Sequence, residues 1–350
     1  MGFDRILIVK PSAFGDVVHS LPFLVALRRS YPKARVGWVI SRACAGLLEG
    51  RPDVDDLYVF ERKRWGGFRN LMRNLREMRA FSRTLRAQKF DLVVDLQGLF
   101  RSALLTRMTG APRRVGFANA RELGWVFYTD RVRVPSPDMH AVDRYLLVAE
   151  HLGLAIERPV RFNVCVTEDA RARASAMLGA VNPGGRPVAA LIPGSQWPSK
   201  RWPAELFADL AGRLGERGFC AVFLGAPDDV PLVERIRAMM ANPAASLAGK
   251  TTIPQLSAVL GRAGVVVAND SGPMHLAMAL GRPVVALYGP TSPDRTGPYG
   301  GRATVLKSTR PCAPCYDAEC EDVECLREIG VERVLAAILD YGPKAEKPAL

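Results

Sequence analysis

The feature that most constrains this chain is a rhythm. Short, uninterrupted apolar runs recur along its length, each followed by a loop and then an amphipathic segment. In the first half the runs are RILIVK, RVGWVI, LYVF, DLVVDLQ and RRVGF, and in the second VAALIPG, CAVFLG, VVVAND, PVVALYG and ATVLK. A strand with one wet face alternates apolar and polar residues. These runs are continuous instead, as parallel strands covered on both faces by helices must be. Segments 17–30, 140–153, 203–217 and 271–281 between them read as amphipathic helices. Strand and helix thus alternate as βαβ units, twice over. The break falls near 165–187, where FNVCV ends the first half and NPGGRP (182–187) precedes a new strand. The expected fold is α/β: two doubly wound Rossmann-like domains, 1–170 and 171–330, facing across a cleft, with 331–350 a last helix and tail able to pack back on the first domain.

Composition narrows the partners. The chain has 350 residues, 48% hydrophobic, enough for two cores, and a formal net charge of +13, which favours an anionic partner. No run of about 18 apolar residues is present, so no span of a bilayer is expected. MGFDRILIVK runs straight into a strand with no apolar leader, and seven cysteines, an odd number, suit a reducing compartment. No GxGxxG follows a strand, and GxxxxGK[ST] and GxSxG are both missing. Hydride-transfer dinucleotide enzymes, P-loop ATPases and nucleophile-elbow hydrolases are thereby disfavoured.

LIVKPSAFGDVVHSLP (7–22) has the strand–loop–helix form of a nucleotide-binding unit, yet its loop is poor in glycine and carries Asp16. The acid is either the N-cap of a helix beginning at Val17 or a group aimed from the helix mouth at a substrate. The densest stretch is VVVANDSGPMHLAMALGRPVVALYGPTSPDRTGPYG (265–300). Asp270 or Ser271 suits an N-cap, Gly272 lets backbone approach a ligand, and the helix N-terminus with His275 favours a phosphate. LIPGSQWPSKRWP (191–203) offers Ser195, Gln196 and a lysine, Lys200, able to neutralise a pyrophosphate; Asp229 or Asp228 in LGAPDD suits a ribose, and Thr251 in GKTTIP lies in a turn whose backbone can edge an adenine.

Residues 61–90 hold ten Lys or Arg against two Glu. Arg69, Arg73, Arg76 and Arg83 share one helical face and Leu71, Leu75, Met78 and Leu85 another. This basic amphipathic helix is either a solvated face or a docking element for an anionic membrane or acceptor. Finally, Cys312, Cys315, Cys320 and Cys325 give C-x2-C-x4-C-x4-C, a candidate structural Zn or Fe site, or simply reduced thiols in a compact loop.

Taken in order, ILIVKPSAFGDVVHSLP, DLVVDLQGLFRSALL, IPGSQWPSKRWP, NDSGPMHLAMALGRPVVALYGPTSP and CAPCYDAECEDVEC resemble the ADP-heptose lipopolysaccharide heptosyltransferases, glycosyltransferase family 9. The likeness is strongest to the enzymes that add the first heptose to Kdo; the Cys-rich segment is more like heptosyltransferase II. The resemblance implies a GT-B fold, with the acceptor on the N-terminal domain and the nucleotide sugar on the C-terminal one. It implies inverting transfer of L-glycero-D-manno-heptose from ADP-heptose to Kdo-lipid A. Asp16 would be general base, Lys200 would stabilise the ADP leaving group, and no cofactor would be required for catalysis. Ser12, Ala13, Phe14, Gly15, Ser195, Gln196, Asp229, Thr251, Asp270, Ser271, Gly272 and His275 would meet the donor. Arg62, Lys63, Arg64 and Arg121 would meet the acceptor's anions. The enzyme would be cytoplasmic, peripheral on the inner face of the inner membrane, with no nucleic-acid partner. Other readings are a family member with another sugar or protein acceptor, a GT-B-like epimerase, and a non-catalytic nucleotide or nucleic-acid binder.

Overall fold

A computed structural model describes residues 2–60 and 71–342, with backbone alone over 71–75. The chain divides into two compact units between Cys165 and Val166. The first unit contains β1 (Arg5–Val9), β2 (Arg35–Ser41), β3 (Asp56–Phe60), β4 (Leu92–Asp95), β5 (Arg113–Phe117) and β6 (Asp130–Val132). Its helices are α1 (Phe14–Ser30), α2 (Leu71–Ala87), α3 (Phe100–Met108) and α4 (Ala141–His151). The second contains β7 (Val188–Ile192), β8 (Cys220–Phe223), β9 (Ala245–Ser246), β10 (Val265–Asn269), β11 (Val284–Tyr288) and β12 (Ala303–Lys307). Its helices are α5 (Glu168–Val181), α6 (Ala204–Glu216), α7 (Val230–Ala238), α8 (Ile253–Gly261), α9 (Gly272–Ala279), α10 (Pro293–Thr296), α11 (Glu324–Arg327) and α12 (Val331–Leu339).

Both sheets are parallel, ordered β3-β2-β1-β4-β5-β6 and β12-β11-β10-β7-β8-β9. Counted within its own unit, each sheet runs 3-2-1-4-5-6, the doubly wound order. Its switch point, where the crossovers change direction, is the place ligands occupy beyond the strand carboxyl ends. In the first unit that point lies between β1 and β4, in the second between β7 and β10. The continuous apolar runs have the cause inferred for them. Ile6 to Val9 are fully buried, Ile6 pairing with Val36 on one side and Leu92 on the other, and every residue of β7 and β10 is buried.

Two strands escaped the sequence reading. β6 has three residues and β9 two. Both close a sheet edge and are too short to show a period. Helix α1 begins at Phe14, a turn earlier than the expected Val17, which changes the reading of Asp16 below. α12 lies in the second unit's own core, where Val334, Leu335 and Ile338 join Phe207 and Leu214 of α6. Trp202 beside them donates its indole N–H to the Ile329 carbonyl at 2.9 Å. The basic 61–90 segment is described from Leu71, where α2 exposes Arg76, Arg79, Arg83 and Arg86 and buries Leu85. Arg62, Lys63, Arg64 and Arg69 lie outside the described residues. Among the described residues no helix is long and apolar enough to cross a membrane.

Candidate active site

At the switch point of the first sheet, β1 delivers Lys10 and the Pro11–Ala13 loop, which turns into α1. Asp16 is the third residue of that helix, not its N-cap. Its Oδ2 reaches back to accept the N–H of Ala13, the N-cap residue, at 3.3 Å, which satisfies a donor that α1 itself leaves free. The Lys10 ammonium donates to the same oxygen at 3.4 Å. Lys10 is 2% exposed, whereas the Asp16 side chain keeps 38% of its exposure. A buried ammonium therefore braces a partly exposed carboxylate.

Burial acts to raise the Asp16 pKa, but the charge of Lys10, His19 and the Ala13 N–H outweigh it and hold the carboxyl below its ordinary range. For Lys10 burial acts downward, and Asp16 and Tyr145 overcome it, so the lysine stays charged. The Tyr145 ring of α4 lies 5.2 Å from the Lys10 Nζ, and His19 stacks edge-on against His140 at 5.4 Å. Lys10 and Tyr145 were not assigned a role from sequence. The only signal was a lysine closing an apolar strand in LIVKPS.

The neighbouring strand supplies the loop's other wall. Asp95 ends β4 fully buried, accepting from the Tyr128 hydroxyl at 2.8 Å and from the Gln97 and Gly98 N–H groups at 2.8 and 3.1 Å. Burial pushes its pKa up, only partly offset by those donors. The turn so held presents Gln97 Oε1 to the Ser12 N–H at 3.4 Å. Ser12 and Ala13 are thus held from both sides of the switch point, and Phe14 and Gly15 open α1. Arg121 is exposed in the same unit, its N–H donating to the Gly98 carbonyl at 2.9 Å.

In the second unit the loops after β7 and β10 meet, as their order requires. Lys200 Nζ lies 2.6 Å from Asp270 Oδ2, which also accepts from Thr291 Oγ1 at 2.8 Å; the Tyr288 hydroxyl approaches Oδ1 at 3.4 Å. Burial first, then the Asp270 charge, hold the Tyr288 phenol well above its ordinary range, so it remains a donor. Ser195 Oγ donates to the Asp270 carbonyl at 3.0 Å, and His275 Nε2 lies 3.9 Å from Asp270 Oδ1. Lys200 packs over the Trp197 ring at 4.3 Å. An ammonium has three N–H donors, so its bond to Asp270 leaves others for an anion. Thr291, within PVVALYGPTSP but without a role legible from sequence, completes the anchor on Asp270, while the Tyr288 hydroxyl donates chiefly to the Thr296 carbonyl at 2.8 Å.

Ser271 occupies the N-cap position of α9, but its hydroxyl caps nothing, and among the described residues its buried Oγ has no partner. With Gly272 it leaves the helix mouth available to an incoming acceptor group. Asp229 stands over the loops after β7 and β8. A Cβ on Gly194 would fall 2.4 Å from its carboxylate and one on Gly225 2.8 Å from its Cβ. Its Oδ2 accepts from the Ala226 N–H at 2.9 Å. Gln196 is exposed, and Thr251 is half-buried just before the α8 N-cap residue, Thr252.

Cys312, Cys315, Cys320 and Cys325 are free thiols lining one cavity of about 60 Å³ with Ser199, Pro290 and Arg310. Among the described residues no three His, Cys, Asp or Glu side chains form a group that could hold an ion. Cys320 donates to the Asp322 carbonyl at 3.1 Å, and burial followed by the neighbouring thiols pushes the Cys325 pKa up.

Paired doubly wound sheets, one with a braced carboxylate at its switch point and the other with a lysine, hydroxyls and a helix mouth, define a glycosyltransferase of the GT-B class. The chain belongs to glycosyltransferase family 9 (heptosyltransferase), whose sequence model matches residues 78–325. It is 34% identical over 322 residues to lipopolysaccharide heptosyltransferase 1 of Pseudomonas aeruginosa, covering 90% of this chain and 87% of that protein. Among solved structures it is similar to the ADP-heptose lipopolysaccharide heptosyltransferase II of Escherichia coli (TM-score 0.77, 28% identity, 96% of this chain and 98% of that one). It is equally similar to the E. coli heptosyltransferase WaaC with ADP (TM-score 0.77, 27% identity, 97% and 100%).

Proposed function

We propose that this enzyme transfers L-glycero-D-manno-heptose from ADP-heptose to Kdo of the lipopolysaccharide inner core, on Kdo-lipid A, with inversion and in one displacement. The observation that carries the reading is Asp16, an ionised, half-exposed carboxylate braced at a switch point by a buried lysine. The acceptor hydroxyl gives its proton to the Asp16 carboxylate as its own oxygen bonds to the anomeric carbon. The bond from that carbon to the β-phosphate oxygen breaks, and ADP leaves with the electron pair. Lys200 and the N-terminus of α9 meet the charge as it develops. Asp229 accepts from the ribose hydroxyls. Similarity to heptosyltransferase 1 and ADP-bearing WaaC supports the donor. The equal TM-score to heptosyltransferase II favours a second reading, in which the acceptor already carries one heptose. The protein works at the inner leaflet as a peripheral enzyme.

The test offers ADP-heptose with Kdo-lipid A and, separately, with its monoheptosylated form, and reads added heptose by mass. Transfer to the first alone is expected. Transfer to the second alone moves the enzyme one step along the core, and transfer to neither removes the proposed reaction.

Two smaller results are expected. In Lys10→Met, burial of Asp16 loses its main opponent, the carboxyl pKa rises, and the base is lost at higher pH. The acid limb of the kcat/KM profile therefore moves upward in pH, with His19, Tyr145 and the Ala13 N–H still in place. An unmoved limb means that Lys10 does not set the base's ionisation. Gly194→Ala places a methyl where the Asp229 carboxylate lies, and that carboxylate can yield by rotating. The KM for ADP-heptose should rise about tenfold, the scale of a hydrogen bond to a charged group, with little change in melting temperature. Combined with Asp229→Ala it should add almost nothing, since both act on one contact. Full additivity would separate Asp229 from the ribose.

A further inference from the structure

Three of the six large apolar side chains exposed among the described residues fall on one spot of the first unit: Leu123 at 65%, Val126 at 48% and Phe100 at 39%. Leu123 precedes a single 3-10 turn, Gly124–Phe127, and Val126 donates its N–H to the Leu123 carbonyl at 3.2 Å. With three residues per turn, positions 123 and 126 share a face, and that face is the outer one. The turn is seated on the start of α3: the Phe127 and Phe100 rings meet at 5.5 Å, and a Cβ on Gly124 would lie 3.2 Å from the Ala103 methyl. Glu122 and Leu123 hold left-handed φ angles of 56° and 60°, where neither is a glycine or an asparagine. A bulky leucine is thus kept, exposed, at a position where small residues are the easy choice.

The surroundings are cationic. Residues 100–133 carry seven arginines against two acids, Glu122 and Asp130, and Asp130 is paired with Arg113 at 3.1 Å. Arg121 and Arg101 are exposed next to Leu123 and Phe100, and Arg131 stacks on the Trp125 ring at 4.6 Å. Arg114 Nε donates to the Phe127 carbonyl at 3.0 Å, tying the turn to β5. Protruding aliphatic and aromatic groups, an interfacial tryptophan and a rim of guanidinium groups match the two layers of an anionic lipid surface, acyl boundary and phosphate headgroup. A protein partner would need acids placed in register with this rim, whereas an anionic bilayer presents phosphate at every position along it.

We propose that the Arg121–Phe127 turn, with Phe100, is a membrane-docking surface that seats this unit on anionic phospholipid. This deepens the lipid-linked acceptor reading above, on which it rests, and places a lipid contact beside Arg121.

The test is flotation of the full chain with vesicles of phosphatidylcholine alone and of phosphatidylcholine mixed with phosphatidylglycerol, without donor or acceptor. The protein should float with the mixed vesicles, less so as salt rises. The double variant Leu123→Gln, Val126→Gln should lose at least about tenfold of that partition, the scale of withdrawing two apolar side chains from the boundary. Met239→Gln, an exposed apolar residue of the second unit, should float as the parent does. Equal flotation of the double variant and the parent overturns the proposal. So does a concentration-dependent dimer that the double variant dissolves, which would make the patch an interface between copies. Should the double variant not fold, brominated lipid supplies the second reading: it should quench parent fluorescence more than that of Trp125→Phe, and equal quenching overturns the proposal. Turnover on a delipidated, water-soluble Kdo acceptor should be the same in parent and double variant. Flotation without turnover on any acceptor would overturn the heptosyl-transfer reading and leave the docking surface standing.

Discussion

Asp16→Asn should lower kcat at least about a hundredfold, the lower range for loss of a positioned general base, and leave ADP affinity unchanged. The substitution is close to isosteric. Asn keeps an oxygen that can accept from the Ala13 N–H, so the start of α1 is preserved, and the side chain remains half-exposed. What changes is basicity: an amide cannot take the acceptor's proton. The ammonium of Lys10, 2% exposed, loses its carboxylate partner, and for that reason the melting temperature must be measured beside the rate. A folded variant with unchanged ADP binding and near-normal turnover would falsify the role of Asp16 as base. The acid limb of the parent's profile should lie low, because the Asp16 pKa sits below its ordinary value. The linked stability has the same sign. It is present above the unfolded carboxyl pKa and is lost as pH falls through the depressed folded one.

Lys200→Met should cost about a hundredfold or more in kcat/KM, the scale of removing one preorganised donor to a developing anion. It should also destabilise the second unit by about 3 kcal/mol, because Asp270, 7% exposed, is left as a buried charge without its cation. That is the low end for a broken buried pair, since Thr291 still donates to the carboxylate at 2.8 Å. The two effects separate in Lys200→Met, Asp270→Asn. Removing the stranded charge should restore most of the melting temperature and none of the rate. Rate recovering along with stability would mean that Lys200 serves the fold by holding the β7 and β10 loops together and does not touch the leaving group.

Much of this site was legible as residue types in loops. Asp16, Lys200, Asp270 and Ser271 each follow a continuous apolar run, and a strand carboxyl end in a doubly wound sheet is where function collects. Less legible were the groups that set their chemistry. Lys10 reads as the end of a strand, and Tyr145 lies 135 residues beyond it in α4. Thr291 and Tyr288 reach Asp270 only because β11 lies beside β10. The reading of Asp16 as an N-cap failed by a few residues at a helix boundary, where the competing preferences of Phe14, Gly15 and Val17 differ by less than tertiary packing contributes.

By itself the sequence determined the alternation of buried parallel strands and helices, because burial on both faces demands continuous apolar runs and that demand is local. It also determined which loops carry acid, base and hydroxyl. Tertiary structure alone decided which of them meet: that Lys10 stands under Asp16, that Lys200 closes on Asp270, and that four neighbouring thiols share a cavity. Leu123 and Val126 end exposed for the same kind of reason. A pKa, an ion pair and an exposed patch are properties of distances between residues far apart in the chain, and strand order, which no local pattern encodes, sets those distances.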